Sequence, residues 1–119
     1  MHNYKELTVW TKSVALATDI YRATSEYPTS ELYGITSQMR RCSVSISSNI
    51  AEGAGRSSDK DFARFLHVAN GSSYELETQL IISKNLSYLN ETEFKLLNNS
   101  LVEIQKILYT LIKRIESNS

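Results

Sequence analysis

Cations recur at helical steps through the middle of this chain: Arg56, Lys60, Arg64 and His67, with Arg40 and Arg41 upstream. Side chains three and four residues apart share one side of a helix. The chemistry open to such a row is electrostatic, the gripping of phosphates in structured RNA or DNA without reading base sequence. Between residues 40 and 64 the cations Arg40, Arg41, Arg56, Lys60 and Arg64 stand against Glu52, Asp59 and Asp61, a net of +2. A plainer reading has Asp61 pairing with Arg64 and the rest forming a solvated or intersubunit salt-bridge face. Both readings stay open.

Residues able to run a reaction are present but not grouped for one. Di-iron bundles use Glu-x-x-His pairs, and neither His2 nor His67 has Glu three residues before it. Gly53-Ala54-Gly55 lacks the Lys-Ser/Thr that completes a phosphate-cradling loop. Cys42 is the only cysteine; with no evident histidine partner it reads as a packing residue in a reducing compartment. No catalytic residue, metal or cofactor is expected. Asn49 falls on the apolar row of its helix with Glu52 beside it, and Glu75 lies further along the chain. With Gln38 and Gln79 they are expected to form a buried polar network fixing helix register, since buried amides and carboxylates need partners.

The elements that carry these residues are helices. Leu7, Trp10, Val14, Ala17, Tyr21 and Thr24 predict a first helix over about 4–26, opened by Asn3 with Glu6 and closed before Tyr27-Pro28. Ile35, Met39, Cys42, Ile46, Asn49 and Gly53 mark a second over about 31–53. Gly34 is an irregularity near its start, and a glycine ends it in the left-handed conformation. Ser57-Ser58 caps a third, about 59–88, on the row Phe62, Leu66, Ala69, Ser73, Leu76, Leu80 and Ser83. Asn90 with Glu93 opens a fourth, about 91–116, along Phe94, Leu97, Leu101, Ile104, Leu108, Leu111 and Ile115. No stretch alternates as a strand would. Short links make neighbours antiparallel, so the fold class is all-α, an up-down-up-down four-helix bundle in a single domain.

Between Arg41 and Glu52 the second helix bears no charge. A helix of a soluble monomer keeps a polar, charged face toward water. Val44, Ser47, Ser48 and Ala51 are therefore expected to meet another copy of the chain. The small residues of this helix, with Ala69-Asn70-Gly71-Ser72-Ser73 on the third, point to a close approach of backbones at Gly71, the alternative being a tolerated surface glycine. At 119 residues the chain holds one core. Thirteen Lys+Arg balance thirteen Asp+Glu, which excludes a strongly basic nucleic-acid binder but not a local patch multiplied by symmetry. No segment approaches a membrane span or a secretory leader, and a cytoplasmic location is expected.

The ordered pieces resemble one family. They are Leu7-x-x-Trp10, Tyr27-Pro28-x-x-Glu31-x-Tyr33-Gly34-Ile35-Thr36-x-Gln38 and Arg40-Arg41, then Ser45-Ile46-x-x-Asn49-Ile50-Ala51-Glu52-Gly53 and Phe62-x-Arg64-Phe65-Leu66. Ala69-x-Gly71-Ser72 and Glu75-x-Glu77-Thr78-Gln79-Leu80 follow. Over about residues 4–90 they are similar to the four-helix-bundle proteins encoded in intervening sequences of 23S ribosomal RNA genes. Cys42 stands where that family usually has Ala. The resemblance implies a left-handed bundle, a homopentamer, and a fold like the accessory protein of diversity-generating retroelements, which engages nucleic acid and a reverse transcriptase. It implies no enzyme activity. A protein partner, with the chain as scaffold, is the other expectation.

Overall fold

The computed structural model describes residues 1–118. Four helices follow one another: α1 (Thr8–Thr24), α2 (Ile35–Ala54), α3 (Asp59–Asn85) and α4 (Glu91–Ser117), with single 3-10 turns at Tyr4–Glu6 and Thr29–Glu31. Among the described residues there is no strand. Each helix packs on its sequence neighbours, and α1 closes the ring against α4. Cross-helix pairs give the direction. The His2 amide donates to Ala54 O at 2.8 Å, Lys12 meets Glu103 and His67 meets Glu116. The first and last set the early part of one helix against the end of another. Lys12, near the start of α1, reaches the middle of α4, whose last turns lie beside Thr8 and Val9. This is the antiparallel order that short links require.

Two of the four apolar rows lie as their spacing predicts. All seven α3 positions are buried, and so are the α4 positions from Leu97 to Ile115, with Phe94 half-buried. The row of α1 is a correction. Val9, Ser13, Leu16, Ala17, Ile20 and Thr24 face the core, while Val14 and Tyr21 are exposed. This helix carries two apolar rows, and the aliphatic one goes inside. Its aromatic row suits the rim, where a ring buries its body and keeps its polar tip wet. Trp10 lies edge-on to Tyr4 at 5.1 Å there. In α2 the core takes Ile50 rather than Asn49, a rotation that spares an amide from full burial.

The ends of the helices differ in how well local chemistry foretells them. Asn90 and Glu93 form both halves of a capping box, and Ser58 accepts from the Asp61 amide at 3.1 Å. Asn3, by contrast, caps only the first 3-10 turn, through the Lys5 amide at 3.2 Å, and α1 begins later at Thr8. Thr29–Glu31 likewise makes a 3-10 turn, so α2 starts at Ile35 with Gly34 as its N-cap. Gly55 closes α2 in right-handed geometry (φ −81°). The left-handed cap is Ser87 after α3, at φ 61°. There Ser87 N donates to Lys84 O and Tyr88 N to Ser83 O, at 3.0 and 2.9 Å. That pair of bonds is the Schellman pattern, which ends α3 earlier than expected.

Candidate nucleic-acid and assembly surfaces

The five cations of the expected basic side fall into two groups, one at each end of α2. Arg40 and Arg41 sit near its start and Arg56 just past its end, roughly 20 Å away at the rise of an α-helix. Within one subunit they are not a single patch. Arg40 serves the bundle: its Nε donates to Thr24 Oγ1 at 2.9 Å, and Nη2 to Tyr21 O at 3.4 Å. Its guanidinium lies 4.8 Å from the Tyr21 ring centroid. A cation on the last carbonyls of α1 is well placed for the helix dipole. Arg41 is exposed and makes no ion pair or hydrogen bond among the described residues.

The second group collects where α2 turns into α3. Arg56 Nη2 contacts Glu52 Oε1 at 2.6 Å, and Arg64 contacts Asp61 Oδ1 at 3.1 Å. Both guanidiniums also lie on Phe65, 4.8 and 4.4 Å from its ring centroid. Lys60 is exposed and has no carboxylate partner among the described residues. Further along, His67 meets Glu116 at 3.0 Å, and Asp59 meets His2 at 3.4 Å. Arg64 and Asp61 thus pair as the plainer sequence reading has it. Exposed pairs of this kind contribute about 0–1 kcal/mol and exchange readily.

The buried polar network is corrected in its members. Gln38, Glu52 and Glu75 are exposed, and Asn49 and Gln79 are half-buried. Glu52 turns to Arg56 instead of inward, since a surface arginine satisfies a carboxylate without desolvating it. What joins α2 to α3 is a chain of small groups. Asn49 donates to Ser45 O and Ser45 Oγ at 2.8 and 3.0 Å, and Ser45 Oγ meets Ser72 Oγ at 2.9 Å. Beside it, Gln79 Nε2 donates to Cys42 Sγ at 3.5 Å. Cys42 is buried. Burial pushes its thiol pKa up, with the Gln79 bond opposing, a setting that disfavours the thiolate.

Close approach of α2 and α3 occurs at Gly53. A Cβ there would lie 2.7 Å from Phe65 Cβ and 3.2 Å from Phe62 O. Gly71, where the sequence predicted such an approach, is exposed with nothing within 4 Å. Of the four expected assembly residues, Val44 and Ser48 are exposed and Ala51 is half-buried. Ser47 is not on that side: it is buried, with its hydroxyl on Val44 O at 3.1 Å. Val68 and Ile82 on the outward side of α3 and Leu86 just past its end are exposed. Sequence reasoning also missed a depression lined by Tyr21, Leu32, Tyr33, Ser37, Arg40 and Arg41. The only sequence signal for it was Tyr33 beside Gly34, outside any apolar row.

Among the described residues no three of His, Cys, Asp and Glu are grouped so as to hold a metal ion. No helix among the described residues is long and apolar enough to cross a membrane. The fold is that of an all-α bundle presenting charged and small-residue surfaces.

The chain belongs to the 23S rRNA-intervening sequence protein family, whose profile it matches over residues 5–110. That span takes in most of α4, which the sequence motifs left to periodicity alone. The chain is also similar to a crystal structure from Bacteroides thetaiotaomicron, described as a protein of unknown function from the S23 ribosomal protein family. The two are 28% identical, with a TM-score of 0.81, over 89% of this chain and 99% of that one. No curated protein matches the chain. Neither description names a reaction.

Proposed function

We propose that the chain is a non-enzymatic bundle that self-associates, as a homopentamer on the family resemblance, and holds RNA by sequence-tolerant phosphate contacts. The observation carrying this reading is the cluster at the α2–α3 turn. Arg56 and Arg64 are poised on the Phe65 ring beside Lys60, which has no carboxylate. The stack on Phe65 orders both guanidiniums, while their ion pairs are weak enough for phosphate to displace. A family named for 23S rRNA makes RNA the polyanion to test first. Repetition of the cluster around an oligomer would supply several contacts to one backbone.

Anisotropy titrations of a labelled RNA hairpin at several salt concentrations test it. Each phosphate contact contributes about −0.9 to the slope of log K on log salt. Replacing Arg56, Lys60 and Arg64 together by Gln is expected to reduce the slope's magnitude by about 2–3. An unchanged slope, or no binding at low salt, removes the reading. Self-association has its own test: Val44→Asp or Ala51→Asp is expected to split the oligomer in light scattering while leaving the chain helical.

A second reading, a scaffold for another protein, is favoured by the exposed apolar residues Val68 and Ile82 on α3 and Leu86 just past its end. Co-purification of a defined protein that survives nuclease treatment would select it.

A further inference from the structure

We infer that the depression between the end of α1 and the start of α2 takes an unpaired base of single-stranded RNA, stacked on Tyr33 with Arg41 on the adjoining phosphate. The inference rests on the RNA reading above and adds a site that the basic cluster does not contain.

Tyr33 is 94% exposed. Its ring touches no other aromatic group, and its hydroxyl makes no hydrogen bond among the described residues. A Tyr ring is a large, mostly apolar surface, and Tyr33 is far more exposed than Tyr109 at 60% or Tyr74 at 54%. Its backbone is nevertheless fixed. The preceding 3-10 turn is closed by Leu32 N on Thr29 O at 3.1 Å, and Gly34 N reaches Glu31 O at 2.9 Å. Gly34 then caps α2, with Gln38 N on Gly34 O at 3.1 Å. The ring is therefore carried outward on a turn closed by backbone hydrogen bonds on both sides.

The rest of the depression is built to the same chemistry. Tyr21 is 45% exposed, and the Arg40 guanidinium lies over its ring, itself held by Thr24 Oγ1 and Tyr21 O. Aromatic rings and guanidinium planes are the two surfaces on which splayed RNA bases stack. Arg41, one residue on, is a cation with no carboxylate partner among the described residues. No acidic residue lines the depression. Glu31, the nearest in sequence, is engaged by the Tyr88 hydroxyl at 2.8 Å. Glu75 lies across the seam, in the neighbouring hollow that Tyr33 and Arg41 also border.

Two alternatives fit less well. A duplex keeps its bases paired and stacked, so it cannot offer a face to Tyr33. A second copy meeting this patch with its own would bring arginines against arginines. A copy offering another face, as in a ring, would be exposed by a change of particle mass in the Tyr33→Ala variant. A single strand supplies both the π-face and the negative charge.

The test uses the full-length protein with a labelled 12-nucleotide single strand and a blunt 12-base-pair RNA duplex. Tyr33→Ala is expected to weaken single-strand binding about ten-fold, in line with alanine substitutions at base-stacking rings, with duplex binding changed less than about two-fold. Tyr33→Phe should retain binding, and Arg41→Gln should lower the salt slope for the single strand by about 0.7. Equal losses on both RNAs, or no loss on the single strand, overturn the inference and leave the basic-cluster reading standing. Failure of the unaltered protein to bind either RNA overturns both. Light scattering of Tyr33→Ala separates the remaining case: a fall in particle mass would mean that Tyr33 packs on a second copy, and the inference fails. In the unaltered protein, a 4-thiouridine placed in the single strand is expected to cross-link to the peptide carrying Tyr33. Cross-links confined to the Arg56–Arg64 peptides would overturn it.

Discussion

Gly53 and Gly71 sit in similar company, among serines and alanines on helices that face one another, yet they do opposite things. Gly53 is buried, and its missing side chain lets α2 settle against Phe62 and Phe65. Gly71 looks outward into open space. A run of small residues does not by itself mark a close approach. The large residue across the seam decides it, and only at Gly53 is there one.

That contrast can be pressed experimentally. Gly53→Ala should be the most damaging change, lowering stability by about 1–3 kcal/mol, because backbone as well as side-chain atoms must shift. Urea unfolding measures it, and a stability equal to that of the unaltered chain would break the contrast. Ser45→Ala, which cuts the link from Asn49 to Ser72, is expected to lower stability by about 1 kcal/mol in the same assay. Gly71→Ala should instead raise it by about 0.5–1 kcal/mol, as for any exposed helix-interior glycine. If the alanine dissociates an oligomer, the space over Gly71 is filled by another subunit.

The smallest effect concerns pH. Burial raises the pKa of both Cys42 and Tyr27. Each acid therefore ionises more easily in the unfolded chain than in the folded one. Stability is expected to be full at neutral pH and to fall as pH rises through the ordinary thiol and phenol ranges, ~8.5 and ~10. Urea midpoints between pH 7 and 10 check the sign, and Cys42→Ala should remove the earlier part of the decline.

How far the chain could be read depended on whether one pattern competed with another. The cores of α3 and α4 were legible because each carries a dominant apolar row and an unmistakable cap, Ser58 or Asn90. The inward row of α1 was not, because Trp10 and Tyr21 repeat as regularly as Leu16 and Ile20. Asn49 and Ile50 are adjacent, and spacing alone cannot choose between them; the cost of burying an amide does. The end of α3 hid because a serine, Ser87, adopts the conformation for which one looks to glycine. At the surface, charge type was legible and charge grouping was not. Arg40 and Arg56 are separated by the length of a helix, and Glu52 finds Arg56 rather than the core. The Tyr33 depression joins α1 to the turn before α2, a juxtaposition no local pattern encodes.

The contact of Gly53 with Phe62 and Phe65 joins residues only nine and twelve positions apart. Lys12 and Glu103, which tie α1 to α4, are ninety-one apart. Closing a short loop is entropically cheaper than closing a long one, so the α2–α3 hairpin is the natural place for folding to begin, with the α1–α4 seam sealing late. Once formed, the hairpin should be the last region to yield its amide protons to deuterium, and α1 among the first.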